Sequence, residues 1–246
     1  MHLWYNADRA VYCADACDRR SELLRSDFMI KAVIFDLDGT LMNTLYDLYV
    51  GVNRALSSCG YESVSIDKVR ASVGNGVAKL VARCLPEVNK EEFTRVLERF
   101  NREYALCKDD HTAPYDGAVQ AMQKLKSAGV KIAVVSNKTE SAVKALCAEK
   151  FAGLYDLAVG DDGVRPLKPS PEPIQYALSA LNVKKEEAVY VGDQEVDVKT
   201  ASNSGLRLLG AGWGFRGKRA LEAAGATCVC EDFGKLTEIV LKNDII

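Results

Sequence analysis

The chain has 246 residues, 48% of them hydrophobic, which is enough for one large α/β domain or a domain with a sizeable insertion. Its formal net charge of −2 and its sequence pI of about 5.8 exclude a broad basic surface, so we expect no nucleic-acid partner. No apolar run approaches the roughly 18 residues of a membrane span, so we expect a soluble protein without a membrane partner. The eight cysteines form no CxxC pair, which favours a reduced, cytoplasmic setting over a zinc site.

Residues 1–28 differ in character from the rest of the chain. They mix Arg and Asp, contain no continuous apolar segment and show no clear period, so we do not expect them to be a secretory signal. Met29 directly precedes the first predicted strand. We therefore expect translation to start naturally at Met29 and residues 1–28 to be an extension outside the fold.

The first predicted strand ends in two closely spaced aspartates. Val33–Phe35 is a short apolar run typical of a buried strand, and Asp36 and Asp38 follow it at the edge where open α/β sheets bind ligands. Two carboxylates this close repel each other unless a proton or a cation lies between them. An aspartate beside a divalent metal can attack phosphorus while a neighbouring acid protonates the leaving oxygen. The alternative is a polar junction between a strand and a turn.

A helical segment follows. Apolar residues at three- and four-residue steps predict a helix from Thr44 to Gly60, and Thr44 and Asp47 have capping-box spacing. The same pattern predicts three more helices, over 67–72, 77–84 and 90–107. Because no strand is predicted between them, we expect residues 44–112 to form a helical cap inserted into a core made of residues 29–43 and 113–246.

Gly74, Asn75 and Gly76 separate two of these predicted helices. A loop flanked by glycines can bring its backbone close to a small ligand, and caps over phosphate sites select the substrate. The three residues are therefore candidates for substrate binding. A plain turn between helices explains the same spacing equally well.

Helices and strands alternate after Pro114. Strands are predicted at 131–135, 157–159, 188–191, 207–209 and 227–230, with helices around 118–125, 139–149 and 173–181. This alternation predicts a doubly wound parallel sheet of the Rossmann type.

Polar side chains follow these strands and should meet at one edge of the sheet. They are Asp36, Asp38, Ser136, Asn137, Asp161, Asp162, Asp193 and Asp197. Several crowded carboxylates cost stability unless a cation neutralises them. Mg²⁺ fits best, because it is a hard cation that prefers oxygen ligands.

Lys168 lies in LKPSP, where Pro169 and Pro171, together with the preceding Pro166, stiffen the backbone. A fixed ammonium beside Asp36 and a phosphoryl group would screen the nucleophile from the negative phosphoryl oxygens. A solvated surface lysine is the alternative for any single Lys.

Four blocks in this order give the chain a family resemblance: FDLDGTL at 35–41, VVSNK at 134–138, LKPSP at 167–171 and VGDQEVD at 191–197. From Met29 onwards the chain resembles the haloacid dehalogenase superfamily, in particular its phosphoglycolate phosphatase-like members. The resemblance implies a Rossmann-like core with an inserted helical cap. Asn43 and Gln194-Glu195 depart from the residues common in these relatives, although neither change removes a catalytic group.

The resemblance also implies roles for individual residues. Asp36 would be the nucleophile, Asp38 the general acid and then the general base, and Ser136 and Lys168 would hold the phosphoryl group. The implied Mg²⁺ ligands are Asp36, the backbone carbonyl of Asp38, and Asp193, with Asp197 as a supporting residue or an additional ligand. The full set of expected substrate-binding residues is Ser136, Asn137, Lys168, Gly74, Asn75 and Gly76.

The expected activity is Mg²⁺-dependent hydrolysis of a small phosphorylated metabolite through an aspartyl phosphate, with phosphoglycolate as the leading candidate. The alternatives are a sugar phosphate mutase of the same fold, a pyrophosphatase or nucleotidase, and a catalytically inactive binding protein. The joint presence of Asp36, Asp38, Lys168 and Asp193 argues against the last of these. The sequence predicts no oligomeric state.

Overall fold

The structure is a computed structural model that describes residues 29–107 and 110–243, so the expected extension at residues 1–28 lies outside the described residues. Its centre is strand β1, Ala32–Phe35, whose four side chains are all fully buried. Both faces of a parallel sheet are covered by helices, which is why such a strand is apolar throughout instead of alternating.

Six parallel strands form the main sheet, in the order β5-β4-β1-β6-β7-β8. Their bounds are β4 Lys131–Thr139, β5 Leu157–Asp161, β6 Ala188–Gly192, β7 Arg207–Ala211 and β8 Val229–Cys230. This confirms the predicted doubly wound α/β fold. Since β1 lies between β4 and β6, the residues that follow these three strands are brought together at one edge.

A second sheet consists of two short antiparallel strands, β2 Met42–Asn43 and β3 Ala113–Pro114. Between them the chain forms four helices, α1 Leu45–Ser58, α2 Ile66–Ser72, α3 Val77–Cys84 and α4 Lys90–Cys107. These helices bury their apolar faces against one another in a cluster of their own. Phe215, from the loop after β7, also packs into this cluster and links it to the main sheet.

The remaining helices cover the two faces of the main sheet. They are α5 Ala118–Ser127, α6 Glu140–Lys150, α7 Glu172–Leu181, α8 Glu195–Ser204, α9 Gly217–Ala223 and α10 Phe233–Lys242, and a 3-10 turn spans Lys185–Glu187. Helices α5, α6 and α10 pack on the face that carries Val33 and Phe35, and α7 and α8 pack on the opposite face. Within the part of the chain that the structure describes, none of the helices is both long and apolar enough to cross a membrane.

The capping box predicted at Thr44 and Asp47 is wrong. Thr44 precedes α1, but its side chain makes no capping hydrogen bond. Its hydroxyl donates instead to Oδ1 of Asp38 at 2.7 Å. The Asp47 carboxylate accepts from the backbone N–H of His111 and from the hydroxyl of Thr112. Tertiary partners on either side of the helical segment have therefore replaced the local cap.

Candidate active site

Asp36 lies at the carboxyl end of β1, and its side chain is paired with a buried lysine. Nζ of Lys168 donates to Oδ1 of Asp36 at 2.7 Å, to Oδ1 of Asp197 at 3.0 Å and to the Tyr190 hydroxyl at 2.7 Å. The Tyr190 hydroxyl in turn donates to Oδ1 of Asp197 at 2.7 Å. Four polar side chains that the core buries thus satisfy one another, as buried polar groups must.

Burial and charge perturb the pKa values in this group. Burial, together with the nearby Asp197 and Asp38 carboxylates, raises the pKa of Asp36 to about 7, although Lys168 opposes the shift. Burial alone would lower the pKa of Lys168, but Asp197 and Asp36 outweigh it and raise that pKa. The ammonium is therefore retained at neutral pH, and Asp36 is poised between its two protonation states.

Asp193 follows β6 and is held by groups from two loops. Its Oδ1 accepts from the Thr40 hydroxyl at 3.3 Å, and its Oδ2 accepts from the backbone N–H of Phe215 at 2.8 Å. Two glycines make room for this carboxylate, since a Cβ on Gly39 would lie 2.4 Å from Oδ2 and one on Gly214 would lie 2.2 Å from Cβ of Asp193. Gly39 also has a φ of +91°, which only glycine adopts without strain.

The carboxylates of Asp36, Asp193 and Asp197 form a cluster that could hold a metal ion. All three residues are buried, and each offers an oxygen within 4.8 Å of the others. Burial first, and then the charges of Asp197 and Asp36, raise the pKa of Asp193 well above its usual value. Lys168 brings one positive charge to three acids, so a divalent cation with a preference for oxygen ligands fits the donor set.

Asp197 differs from the other two acids because both of its oxygens are already engaged by the protein. Oδ1 accepts from Lys168 and Tyr190, and Oδ2 accepts from the backbone N–H groups of Asp193 and Gln194, both at 3.1 Å. These contacts tie the start of α8 to the end of β6. The residue is thus built into the framework that orients Lys168 and Asp193.

Asp38 faces a second buried lysine, which sequence reasoning quoted in VVSNK but gave no role. Nζ of Lys138 lies 3.2 Å from Oδ1 and 3.4 Å from Oδ2 of Asp38, and it donates to the Tyr104 hydroxyl on α4 at 2.9 Å. Thr44 donates to the same carboxylate. Asp38 therefore receives hydrogen bonds from both the main-sheet unit and the segment that leads into the helical unit.

Ser136 and Asn137 lie in the last part of β4 and have different partners. The Ser136 hydroxyl accepts from the backbone N–H of Lys138 at 3.2 Å, which leaves its own proton available to a ligand. The Asn137 amide nitrogen donates to the carbonyls of Gly74 and Lys168 at 3.0 and 2.9 Å, and its oxygen accepts from the backbone N–H of Lys168 at 2.8 Å. Asn137 thus fixes the backbone on both sides of the site.

A small cavity of about 40 Å³ lies between the two units. Its polar wall contains Asp36, Asp38, Ser136, Asn137, Lys138 and Gln194, and its other wall is formed by Leu48, Val73, Gly74, Gly76, Val77 and Leu80. The glycines of the predicted substrate loop therefore line the cavity. Asn75 is not among the residues that line it, and its side-chain oxygen accepts from Arg83 at 2.7 Å.

Two acids expected at this edge do not reach the site. The Asp161 carboxylate accepts from the backbone N–H of Gly163, and that of Asp162 accepts from the backbone of Val164 and Arg165. Both side chains stabilise the turn that follows β5. The acids at the carboxyl end of β5 therefore stabilise a turn at the edge of the sheet and contribute no side chain to the cavity.

Sequence reasoning also missed residues that shape the site. Tyr190 belongs to the apolar pattern that predicts β6. Because a tyrosine in a fully buried strand needs a hydrogen-bond partner, its presence there could have indicated a polar contact in the site. Tyr104 belongs to the apolar pattern that predicts the helix over 90–107, and that pattern indicates no polar partner for it. The contribution of Phe215 is a backbone N–H, for which the sequence carries no signal.

Comparison with known proteins agrees with this architecture. Residues 33–211 match the family described as haloacid dehalogenase-like hydrolase. A phosphoglycolate phosphatase of Aquifex aeolicus is 34% identical over 187 residues, which are 76% of this chain and 86% of that protein. A phosphoglycolate phosphatase of Cereibacter sphaeroides is 36% identical over 180 residues, which are 71% of this chain and 82% of that protein.

A solved structure has the same fold. The crystal structure of CbbY from Rhodobacter sphaeroides in complex with phosphate superposes with a TM-score of 0.70 at 27% identity and covers 85% of this chain and 96% of that one. Fold, site and relatives together define a phosphoric monoester hydrolase of the phosphoglycolate phosphatase-like type. The chain belongs to the haloacid dehalogenase-like hydrolase family.

Proposed function

We propose that this protein is a Mg²⁺-dependent phosphatase that hydrolyses a small phosphomonoester through an aspartyl phosphate on Asp36, with phosphoglycolate as the leading substrate. The observation that supports this most strongly is the buried contact of 2.7 Å between Lys168 and Asp36 beside the cavity that also contains Asp38 and Ser136. A nucleophile, an acid and phosphoryl-binding groups are thereby within reach of one ligand.

In the first step, a carboxylate oxygen of Asp36 attacks phosphorus and the bond from phosphorus to the ester oxygen breaks. Asp38 donates a proton to that oxygen, so the alcohol leaves in neutral form. Lys168 orients Asp36 and offsets the negative charge that gathers around the phosphoryl group. The Ser136 hydroxyl donates to one phosphoryl oxygen.

In the second step, Asp38 acts as a base and removes a proton from water as the water oxygen attacks phosphorus. The bond from phosphorus to Asp36 breaks, inorganic phosphate leaves and the Asp36 carboxylate is restored. Asp38 has then regained the proton that it gave up in the first step. The hydrogen bonds from Thr44 and Lys138 keep its carboxylate beside the reacting oxygens.

We further propose that Asp36, Asp193 and the backbone carbonyl of Asp38 hold Mg²⁺. Held by these residues, a bound Mg²⁺ would supply positive charge that offsets the negative phosphoryl oxygens during attack by the Asp36 carboxylate. Asp197 in this proposal is a supporting residue and not a ligand, because both of its oxygens already accept hydrogen bonds from the protein.

The helical unit acts as the cap in this proposal. A cavity of about 40 Å³ suits a substrate with a very short organic part, and the phosphoglycolate phosphatases among the relatives agree in substrate size. The apolar cap side chains keep water from the reacting centre, and the backbone of Gly74 and Gly76 lies along the same wall. Residues 44–112 would thus select the substrate, and residues 29–43 and 113–246 would carry out the chemistry.

The test is phosphate release from the full chain with phosphoglycolate, short sugar phosphates, nucleotides and pyrophosphate, each with Mg²⁺ and with a chelator. We expect Mg²⁺-dependent release with a preference for phosphoglycolate. Preference for a nucleotide or pyrophosphate would overturn the substrate assignment, and transfer of phosphate between sugar positions without release would indicate a mutase.

A labelling experiment tests the nucleophile. Acid quenching during turnover of a radiolabelled substrate should leave label on the protein that hydroxylamine removes. Asp36→Asn should lose both the label and turnover while remaining folded. Asp116→Asn, a change at an exposed acid before α5, should keep both. Label retained in Asp36→Asn would place the nucleophile elsewhere.

A further inference from the structure

Lys138 is a buried ammonium that the reaction steps above leave largely unexplained. Only 7% of the residue is exposed, and its Nζ bonds to Asp38 and to Tyr104. Burial alone would lower its pKa, but Asp38 and Tyr104 outweigh that effect and raise it, so the group is charged. An ammonium has three N–H donors. They face Oδ1 and Oδ2 of Asp38 at 3.2 and 3.4 Å and the Tyr104 hydroxyl at 2.9 Å, so the contact to Oδ2 is the longest and the one that an anionic ligand can replace.

A ligand that replaces this contact reaches the ammonium from the cavity. Lys138 lines the cavity, and it is the basic side chain among the described residues that do so. The facing wall offers the apolar side chains Leu48, Val73, Val77 and Leu80. An anionic group on the substrate would therefore find a single positive partner at this end, in surroundings that strengthen the attraction.

The position of Lys138 relative to the reaction can be deduced from Asp38. The acid that protonates the leaving oxygen must lie within hydrogen-bond distance of it, and Nζ of Lys138 is 3.2 Å from Oδ1 of the same carboxylate. The ammonium is thus no more than about 6 Å from the ester oxygen of a bound substrate. A carboxylate attached one carbon beyond that oxygen falls within its reach.

We infer that Lys138 recognises a carboxylate on the leaving group of the substrate and so selects phosphorylated 2-hydroxy acids over neutral phosphomonoesters. This inference rests on the proposed phosphatase function. Tyr104 is a positioning residue in it, because its hydroxyl and its ring, whose centroid is 5.0 Å from Nζ, fix the ammonium from the cap side. Burial raises the pKa of Tyr104, which keeps the phenol neutral.

The test compares two substrates of equal size, phosphoglycolate and its neutral amide. We expect the native enzyme to prefer phosphoglycolate in kcat/KM, and Lys138→Gln to lower the ratio of the two values roughly tenfold to a hundredfold. Lys138→Arg, which keeps the charge, should retain more of the ratio than Lys138→Gln. Tyr104→Phe should lower it less. Lys144→Gln, which changes an exposed lysine on α6, is the matched control and should leave it unchanged.

Three outcomes would contradict the inference. Equal losses on both substrates in Lys138→Gln would show that Lys138 acts only through Asp38, and a native enzyme without preference would show that no charge is recognised. If neither substrate releases phosphate, the proposed function fails together with the inference.

Binding provides a readout without turnover. In an Asp36→Asn background, adding Lys138→Gln should raise the Kd for phosphoglycolate far more than the Kd for the amide.

Discussion

Replacing Lys168 by methionine should destabilise the metal-free protein severely, and Mg²⁺ should restore much of the loss. The side chains of Lys168, Asp36 and Asp197 are 2%, 8% and 0% exposed, so the substitution would leave two acids buried without their cation. Removing one partner from a buried ion pair costs about 3–5 kcal/mol. With a urea m-value of about 3 kcal/mol/M, the unfolding midpoint would fall by roughly 1–2 M.

The pH dependence of this loss has a defined sign. Asp36 has its pKa raised to about 7 in the folded protein, against 3.8 as the ordinary value. A raised carboxyl pKa favours folding below the unfolded value, and that contribution is lost as the pH rises through the folded value. Without Lys168 the pKa of Asp36 rises further. At pH 6 Asp36 is then protonated and uncharged, so the variant loses less free energy of unfolding at that pH. The destabilisation should therefore be larger at pH 9 than at pH 6.

The assay is urea unfolding in chelator and in Mg²⁺, at both pH values. Lys31→Met is the control, because its partner Glu187 forms an exposed pair whose loss should cost no more than about 1 kcal/mol. The added Mg²⁺ should raise the midpoint of Lys168→Met more than that of the native protein, since it replaces the missing charge. Equal stability of the two variants in chelator would refute the account of Lys168 as a structural cation.

Three further predictions follow from the contacts in the site. Gly74→Ala should lower kcat/KM about tenfold or more, because a Cβ there would lie 2.2 Å from Oε1 of Gln194; Gly60→Ala, at a similar positive φ in open space, should leave kcat/KM unchanged. Tyr190→Phe should reduce the free energy of unfolding by about 1–3 kcal/mol, measured by urea, because two buried partners lose their bond. Calorimetry in two buffers of different ionisation enthalpy should show proton release on Mg²⁺ binding at pH 7, because burial raises the pKa of Asp36 to about 7 and that of Asp193 well above its usual value; no release would contradict these raised values.

The fold was predictable because its signals are local. A buried parallel strand is apolar throughout and is followed by glycine and polar residues. This pattern identifies β1 and β6 in the sequence, together with Asp36 and Asp193 at their ends. Helices α8, α9 and α10 were not predicted, although Asp232 caps α10 through the backbone N–H of Lys235 and gives a recognisable start signal.

The contacts that complete the site depend on tertiary structure and could not be predicted. The Thr44 hydroxyl had a plausible local acceptor in the capping box, but the folded chain offers it the carboxylate of Asp38. Lys138 and Tyr104 are 34 residues apart and meet only because the fold brings the Tyr104 side chain on α4 to the end of β4. A periodic pattern identifies which residues are buried, and it does not say which buried polar groups become partners.

Two residues of the substrate site, Asn137 and Lys138, also help to hold the two units together. Asn137 bonds to the carbonyl of Gly74, Lys138 bonds to Tyr104, and Arg216 donates to the carbonyls of Arg70 and Ala71 at 2.7 and 2.9 Å. Moving the two units apart to admit a substrate or release phosphate would break these contacts. The same bonds that keep the site dry during chemistry therefore oppose product release, so weakening one should raise the rate of opening and lower the accuracy of substrate choice together.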